Sequence, residues 1–295
     1  METVVVTGAA GRSGRWIADR LRAEYEVVCV DLSHPGFEVD APENVDFRAA
    51  DLSDRGETLD LLADLDPDGV VHWANIPAPT RHAGGRVFET NVLATYNVLV
   101  GAGRADARVV WASSESAYGF AFAEGDEVPD ELPVTEAHEL RPEDPYGASK
   151  VAGEEVAKMV ARRYDVPVAS VRPSWIQYPG EYHCRDVARS GDLSQGAGNW
   201  WSYVDVRDVA GLVGAALDGA FSGHEAFHAA AAENYLDRST AGAVQEFFGE
   251  MPANCTLDGD QSALSTAKAE ELLDWNPEHS WRGAEDEDVD VPSLY

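Results

Sequence analysis

The residues with the plainest chemistry are Tyr146 and Lys150, within Tyr146-Gly147-Ala148-Ser149-Lys150. Where that stretch opens a helix, the i, i+4 spacing puts both side chains on one face, one turn apart. An ammonium close to a phenol favours the phenolate and draws its pKa from about 10 toward the working pH, which a general acid/base requires. Lysine otherwise occurs only at 158 and 268, so its presence here is informative. Upstream, Val109-Val110-Trp111-Ala112 runs into Ser113-Ser114-Glu115-Ser116-Ala117-Tyr118-Gly119. Open α/β sheets bind ligands at the carboxyl ends of strands, where Ser114 could hold a substrate oxygen against Tyr146. Taken singly, a serine after a strand is a turn former; the expectation rests on the combination.

A second constellation is Thr7-Gly8-Ala9-Ala10-Gly11-Arg12-Ser13-Gly14, between an apolar run and an amphipathic stretch. Gly8 permits a tight turn, Gly11 lets the backbone approach a pyrophosphate, and Gly14 lets a helix pack closely on the strand. The helix start around Ser13 then offers unpaired N–H groups and a positive dipole end to the phosphates. Asp31 ends the next candidate strand, where its carboxylate can accept both hydrogen bonds of an adenosine ribose and would repel a 2′-phosphate. NAD is the expected cofactor. Arg12, inside the loop, keeps NADP as the alternative, because it could reach a 2′-phosphate.

These residues need a scaffold, and the first two-thirds of the chain alternates β-branched runs with helical stretches, the pattern of a parallel sheet with helices on both faces. Strands are expected at Thr3–Thr7, Glu26–Asp31, Val45–Ala49, Gly69–Trp73, Ala107–Ala112 and Pro167–Arg172, with helices near Ser13–Ala23, Arg55–Leu65, Val87–Ala102 and Ala148–Tyr164. After Arg172 the texture turns to Trp, Tyr, Gly and Pro. A helix at Val206–Leu217, a strand at Glu225–Ala230 and helices near Thr240–Gly249 and Thr266–Leu273 would complete a smaller lobe. The fold class is therefore α/β, a Rossmann-type doubly wound parallel sheet over 1–172. A C-terminal substrate lobe spans 173–283, some of it returning to the core, and an acidic tail expected to be loosely ordered spans 284–295.

Composition bounds the partners. The formal charge of −31 repels nucleic acid and anionic membranes. So acidic and lysine-poor a chain also suits a salt-saturated cytoplasm, where screening over a few ångströms removes self-repulsion. No apolar run approaches a membrane span, and Met1-Glu2-Thr3 enters a strand without a basic flank, so the expected location is cytoplasmic. Cys29, Cys184 and Cys255 are too few and too scattered for a disulfide framework or a zinc site.

In motif order, residues 3 to 282 resemble the extended short-chain dehydrogenase/reductase family of nucleotide-sugar epimerases, dehydratases and sugar dehydrogenases. Thr7 through Gly14 resembles its glycine loop and Asp31 its ribose acid. Asp51-Leu52 resembles the pair that touches adenine, and Val71-His72-Trp73-Ala74 the strand beneath the cofactor, putting Ala74 against it. Asn91 resembles the helix asparagine that bonds main chain and supports a proton relay. Ser114, Tyr146 and Lys150 resemble the catalytic serine, tyrosine and lysine, and Tyr203-Val204-Asp205-Val206-Arg207-Asp208 a late strand-to-helix junction. The resemblance implies hydride transfer with Tyr146 as acid/base, Ser114 orienting the substrate oxygen, and Lys150 tuning the tyrosine and holding the nicotinamide ribose. It also implies a homodimer or higher homo-oligomer through Val87–Ala102 and Ala148–Tyr164.

Departures from the family pattern narrow the reaction. Glu115 and Ser116 stand where the dehydratases carry an Asp-Glu pair, which argues against dehydration. The stretch from Arg172 to Tyr203 is short and weakly basic for a nucleoside diphosphate, and it resembles uronate and aldose 1-dehydrogenases, which oxidise a free sugar at C1. A carboxylate at Glu115 would accept sugar hydroxyls and repel a substrate carboxylate, favouring a neutral aldose over a uronate. Ser114, Glu115, Ser116, Ser174, Trp175 and Arg185 are the expected substrate contacts, with Arg189 in reserve. Trp200 and Trp201 are either flat faces for a sugar or core. A nucleotide-sugar 4-epimerase holding NAD tightly and a non-catalytic dinucleotide sensor are the alternative functions.

Overall fold

A computed structural model describes residues 2–34, 42–125, 127–284 and 286–294. In chain order its regular elements begin with β1 Thr3–Thr7, α1 Gly14–Leu21, β2 Glu26–Asp31, β3 Val45–Ala49, α2 Arg55–Leu65, β4 Gly69–His72, α3 Gly84–Arg104 and β5 Arg108–Ala112. They continue with β6 Glu131–Leu132, α4 Pro145–Tyr164, β7 Val168–Pro173, β8 Trp175–Gln177, α5 Cys184–Ser190, β9 Tyr203–Asp205 and α6 Val206–Asp218. The last are β10 His224–Ala229, α7 Thr240–Phe248, β11 Asn254–Cys255, α8 Ala267–Leu273 and α9 Trp281–Ala284. Single-turn 3-10 helices lie at Glu115–Tyr118, Leu193–Gln195 and Ala197–Asn199.

Seven strands form one sheet in the order β10-β7-β5-β4-β1-β2-β3, every neighbouring pair parallel. Chain order reverses between β1 and β4, the crevice where open α/β sheets bind ligands. The doubly wound sheet expected from the sequence is present. Its central strands β1, β2, β4 and β5 read as largely apolar runs because helices seal both faces, whereas the edge strand β3 is partly exposed. Val4 and Val6 pack on one side with Ile17, Leu21 and Val213; Val5 faces the other, with Leu62, Val98, Leu99 and Trp111. All three valines are at most 1% exposed, each burial contributing about 1.5–3 kcal/mol.

Helix α4 starts earlier than the pattern around Ala148 suggests, because Asp144 caps it: its Oδ1 accepts from the Tyr146 and Gly147 amides at 2.8 and 3.0 Å, with Pro145 in the first turn. Tyr146 is thereby fixed in the opening turn.

The smaller lobe has its own core of aromatic residues, including Tyr118, Trp200, Trp201, Tyr203, Tyr235 and Trp281. Segments β7, α6 and β10 belong to the main layers, so the lobe is built mainly from residues on either side of them. At the family-like junction Asp205 caps α6, its Oδ1 accepting from the Arg207 amide at 2.7 Å. The tail departs from expectation. Its backbone is irregular, yet Leu294 is 1% exposed in the main core and Glu287 pairs with Arg207. Burial of a single leucine anchors it, a signal that its acidic flanks mask; Glu285 and Tyr295 lie outside the described residues.

Candidate active site

A cleft of roughly 920 Å³ opens at the chain reversal. Its cofactor half is built from β1, the turn after it and α1. Thr7 pins this region: its Oγ1 accepts from the Trp73 and Ala74 amides at 3.1 and 3.2 Å and bonds His72 Nδ1 at 2.8 Å. Gly8, Gly11, Arg12, Ser13 and Gly14 all lie on the wall. A Cβ at Gly14 would sit 2.0 Å from the Gly8 carbonyl oxygen, so only glycine lets α1 start there. Ser13 Oγ accepts from Trp73 Nε1 at 3.0 Å, locking the loop to the end of β4.

Asp31, at the end of β2, accepts from the Ala10 amide at 3.1 Å and the Leu32 amide at 2.8 Å. Asp51 accepts from the Ser53 amide and hydroxyl, which hold its carboxyl below the usual range; with Leu52 and Ala74 it lines the same half. A cradle that only glycine fits, a helix N-terminus and a carboxylate at the second strand's end suit an adenine dinucleotide. Arg12 is turned to another task than a 2′-phosphate: it pairs with Glu181 and stacks 3.8 Å over the Tyr178 ring, tying the loop to the lobe.

The chemical half gathers Ser114, Glu115, Ser116 and Tyr146 on the wall. A Cβ at Gly147 would lie 2.5 Å from the Ser116 carbonyl oxygen, so glycine there lets α4 press against the serine turn and bring Tyr146 beside Ser114. Ser114 Oγ accepts from the Ser116 amide at 3.1 Å and donates to Ser116 Oγ at 3.1 Å. Lys150 Nζ lies 5.1 Å from the centre of the Tyr146 ring and donates to the Ala112 carbonyl at 2.7 Å. The two side chains thus face each other, with Tyr146 on the wall and Lys150 behind it rather than among the lining residues.

Electrostatics correct one expectation. Burial pushes the Tyr146 phenol up to about 12, with the Asp144 and Glu115 charges adding and the Ser114 hydroxyl pulling down; burial also lowers the Lys150 ammonium to about 7. Spacing shows that the two are neighbours. It does not show that desolvation, which penalises both charged forms, outweighs their attraction.

Asn91 Oδ1 accepts from the Ile76 amide at 2.8 Å and its Nδ2 donates to the Ile76 carbonyl at 3.1 Å, fixing the loop after β4. Its Nδ2 also lies 3.4 Å from Ser149 Oγ, which donates to the Tyr146 carbonyl at 2.7 Å. Ser174 and Trp175 line the substrate end, but Arg185 does not. Its Nη1 donates to the Tyr235 carbonyl at 2.7 Å and its guanidinium lies 3.4 Å over the Trp281 ring, a lobe-stabilising position. Trp200 and Trp201, 1% and 0% exposed, are lobe core and not walls for a sugar. Asn75 and Asn199 on the wall escaped the sequence reading. A polar residue between glycine and two tryptophans, Gly198-Asn199-Trp200-Trp201, was the available signal for Asn199.

The chain is 32% identical over 176 residues to a putative UDP-glucose 4-epimerase of Methanocaldococcus jannaschii, covering 58% of this chain and 55% of that one. It is also 32% identical over 182 residues to an L-arabinose 1-dehydrogenase (NAD(P)(+)) of Haloferax volcanii, covering 60% of this chain and 68% of that one. The chain spans about half the length of the UDP-glucose 4-epimerases it matches, from 48% to 55%. Its fold superposes on a crystal structure of UDP-galactose 4-epimerase with a TM-score of 0.67 at 28% identity, covering 96% of this chain and 98% of that one. The model of the NAD dependent epimerase/dehydratase family matches residues 4–230, and the chain belongs to that family.

Proposed function

We propose that this protein oxidises a free sugar at C1 to the lactone, with NAD as the expected acceptor and Tyr146 as acid/base. The observation that carries the reading is the convergence of Ser114 and Tyr146 on one wall of the glycine-loop cleft, with Lys150 Nζ behind the phenol. When bound, NAD supplies a hydride acceptor. Asp31 would accept the ribose hydroxyls, and the start of α1 would face the pyrophosphate. Ser114 Oγ would hold the substrate hydroxyl at Tyr146 Oη and favour the phenolate that takes its proton. Lys150, in its protonated form, would hold positive charge behind the ring and pass protons to the ribose side.

Free sugar is favoured over nucleotide sugar by charge: the cations on the cleft wall are Arg12, paired with Glu181, and the exposed Arg81, few to hold a second diphosphate beside that of the dinucleotide. The 4-epimerase with retained NAD is the second reading, kept by the epimerase relatives. Assay of free aldoses, uronates and UDP-sugars with added NAD, in molar KCl to screen the formal charge of −31, distinguishes them. Net reduction of NAD by a free sugar is the expected result; interconversion of UDP-sugars without net reduction would overturn it. Phe88 and Leu93, exposed on α3, suit the homodimer carried by the same reading.

A further inference from the structure

Six buried side-chain polar atoms have no hydrogen-bond partner within the protein among the described residues, and four belong to residues of the cleft wall: Asn75 Oδ1, Glu115 Oε2, Ser174 Oγ and Asn199 Oδ1. Buried polar groups are nearly always satisfied, each orphan costing about 1–3 kcal/mol, so such a concentration needs a cause.

Three of the four cluster. Asn199 Nδ2 donates to the Ser202 carbonyl at 3.0 Å and reaches Glu115 Oε1 at 3.5 Å. With its NH2 so engaged, the Asn199 amide orientation is fixed, and both Oδ1 and Glu115 Oε2 remain as acceptors. Ser174 lies close enough to Glu115 to favour its ionised form, although neither Ser174 Oγ nor Glu115 Oε2 completes a hydrogen bond. The cations on the wall are Arg12, engaged with Glu181, and the exposed Arg81. Among the described residues no cation's charge acts on Glu115: burial, Ser174 and Asn199 are the influences on it, and burial prevails, lifting the carboxyl to about 8.

Resting on the free-sugar reading, we propose that Glu115, Ser174 and Asn199 form an acceptor-rich subsite that recognises the hydroxyl groups of an uncharged aldose and rejects the carboxylate of a uronate. The neutral sugar donates its hydroxyls to oxygens that lack partners. A carboxylate brings only acceptors to the acceptor oxygens of Glu115 and Asn199, with no counter-charge and the Ser174 hydroxyl alone to donate to it.

Two matched trios test this, because L-arabinose, D-galactose and D-galacturonate differ only in the C5 substituent, as do D-xylose, D-glucose and D-glucuronate. Initial rates are measured at about pH 9, where Glu115 is ionised. Wild type should prefer an uncharged member over its uronate by at least about tenfold in kcat/KM, and Glu115→Gln should shrink that preference. Asn199→Ala should raise KM roughly 5–100-fold with NADH affinity unchanged. Ser174→Ala, which removes a hydroxyl with no completed partner, should raise KM without lowering Tm and so serves as the variant free of folding effects. Preference for the uronate, or an unchanged KM in both Asn199→Ala and Ser174→Ala, as trapped water on those oxygens would give, overturns the subsite while leaving free-sugar oxidation standing. Turnover of UDP-sugars alone overturns the parent reading instead.

Discussion

The two ends of the cleft are built on opposite terms. At the cofactor end, Thr7, Ser13, Asp31 and Asp51 are all hydrogen-bonded within the protein before any ligand arrives. At the substrate end, Glu115, Ser174 and Asn199 keep oxygens without partners. A preorganised binding surface costs little to occupy, which suits a cofactor common to a whole family. Unpaired acceptors discriminate strongly, since a ligand that fails to satisfy them leaves their burial uncompensated. On the proposed reading, general affinity would reside at one end and selectivity at the other.

The sharpest break in this contrast is at the boundary, where Tyr146 stands. Tyr146→Phe should lower kcat by about 10²–10⁴-fold, the range for a lost general acid/base, with NADH affinity within a factor of about two. Comparable losses in both would place Tyr146 in the binding half. Glu154→Ala probes the shared floor. Glu154 holds Arg172 through Oε1 and Oε2 at 2.8 and 2.6 Å and accepts from Ser113 Oγ at 2.6 Å, next to Ser114. Both partners are at most 3% exposed, so leaving Arg172 unpaired should cost about 3–5 kcal/mol in denaturant unfolding, against under 1 for an exposed pair.

Lys150→Met should abolish most turnover yet stabilise the fold by on the order of 1–3 kcal/mol at neutral pH. A lysine whose pKa falls from 10.5 to about 7 on folding carries a penalty that is full below pH 7 and fades as pH rises toward 10.5, where the unfolded chain also sheds the proton. The gain in Tm over wild type should therefore shrink across that window; a constant difference would mean that Lys150 stays protonated in the fold. Least of all, Arg12→Ala breaks an exposed pair with Glu181 and should change stability by under about 1 kcal/mol. NADH should leave the variant faster, because the link from the glycine loop to Tyr178 is lost.

How much was legible in the sequence follows the same division. The glycine loop, Asp31 and the Tyr146–Lys150 spacing are local patterns, each set by the backbone within one turn or one strand, and six of the sheet's strands follow from local β-rich runs, whereas β10, expected in the smaller lobe, joins the sheet beside β7 through packing. Asn199 meets Glu115 across 84 positions, and no local period announces such a pairing. Arg185 was misplaced for the same reason, its partners Tyr235 and Trp281 lying far along the chain. The buried Leu294 and the upward shift of the Tyr146 phenol are likewise products of packing.

Oxidation at C1 is most directly tested by label. A preferred aldose deuterated only at C1, turned over with NAD, should yield NADH carrying the deuterium, while the same sugar deuterated at C4 should yield unlabelled NADH. Label recovered from C4, or exchanged back into sugar without NADH accumulating, would contradict it.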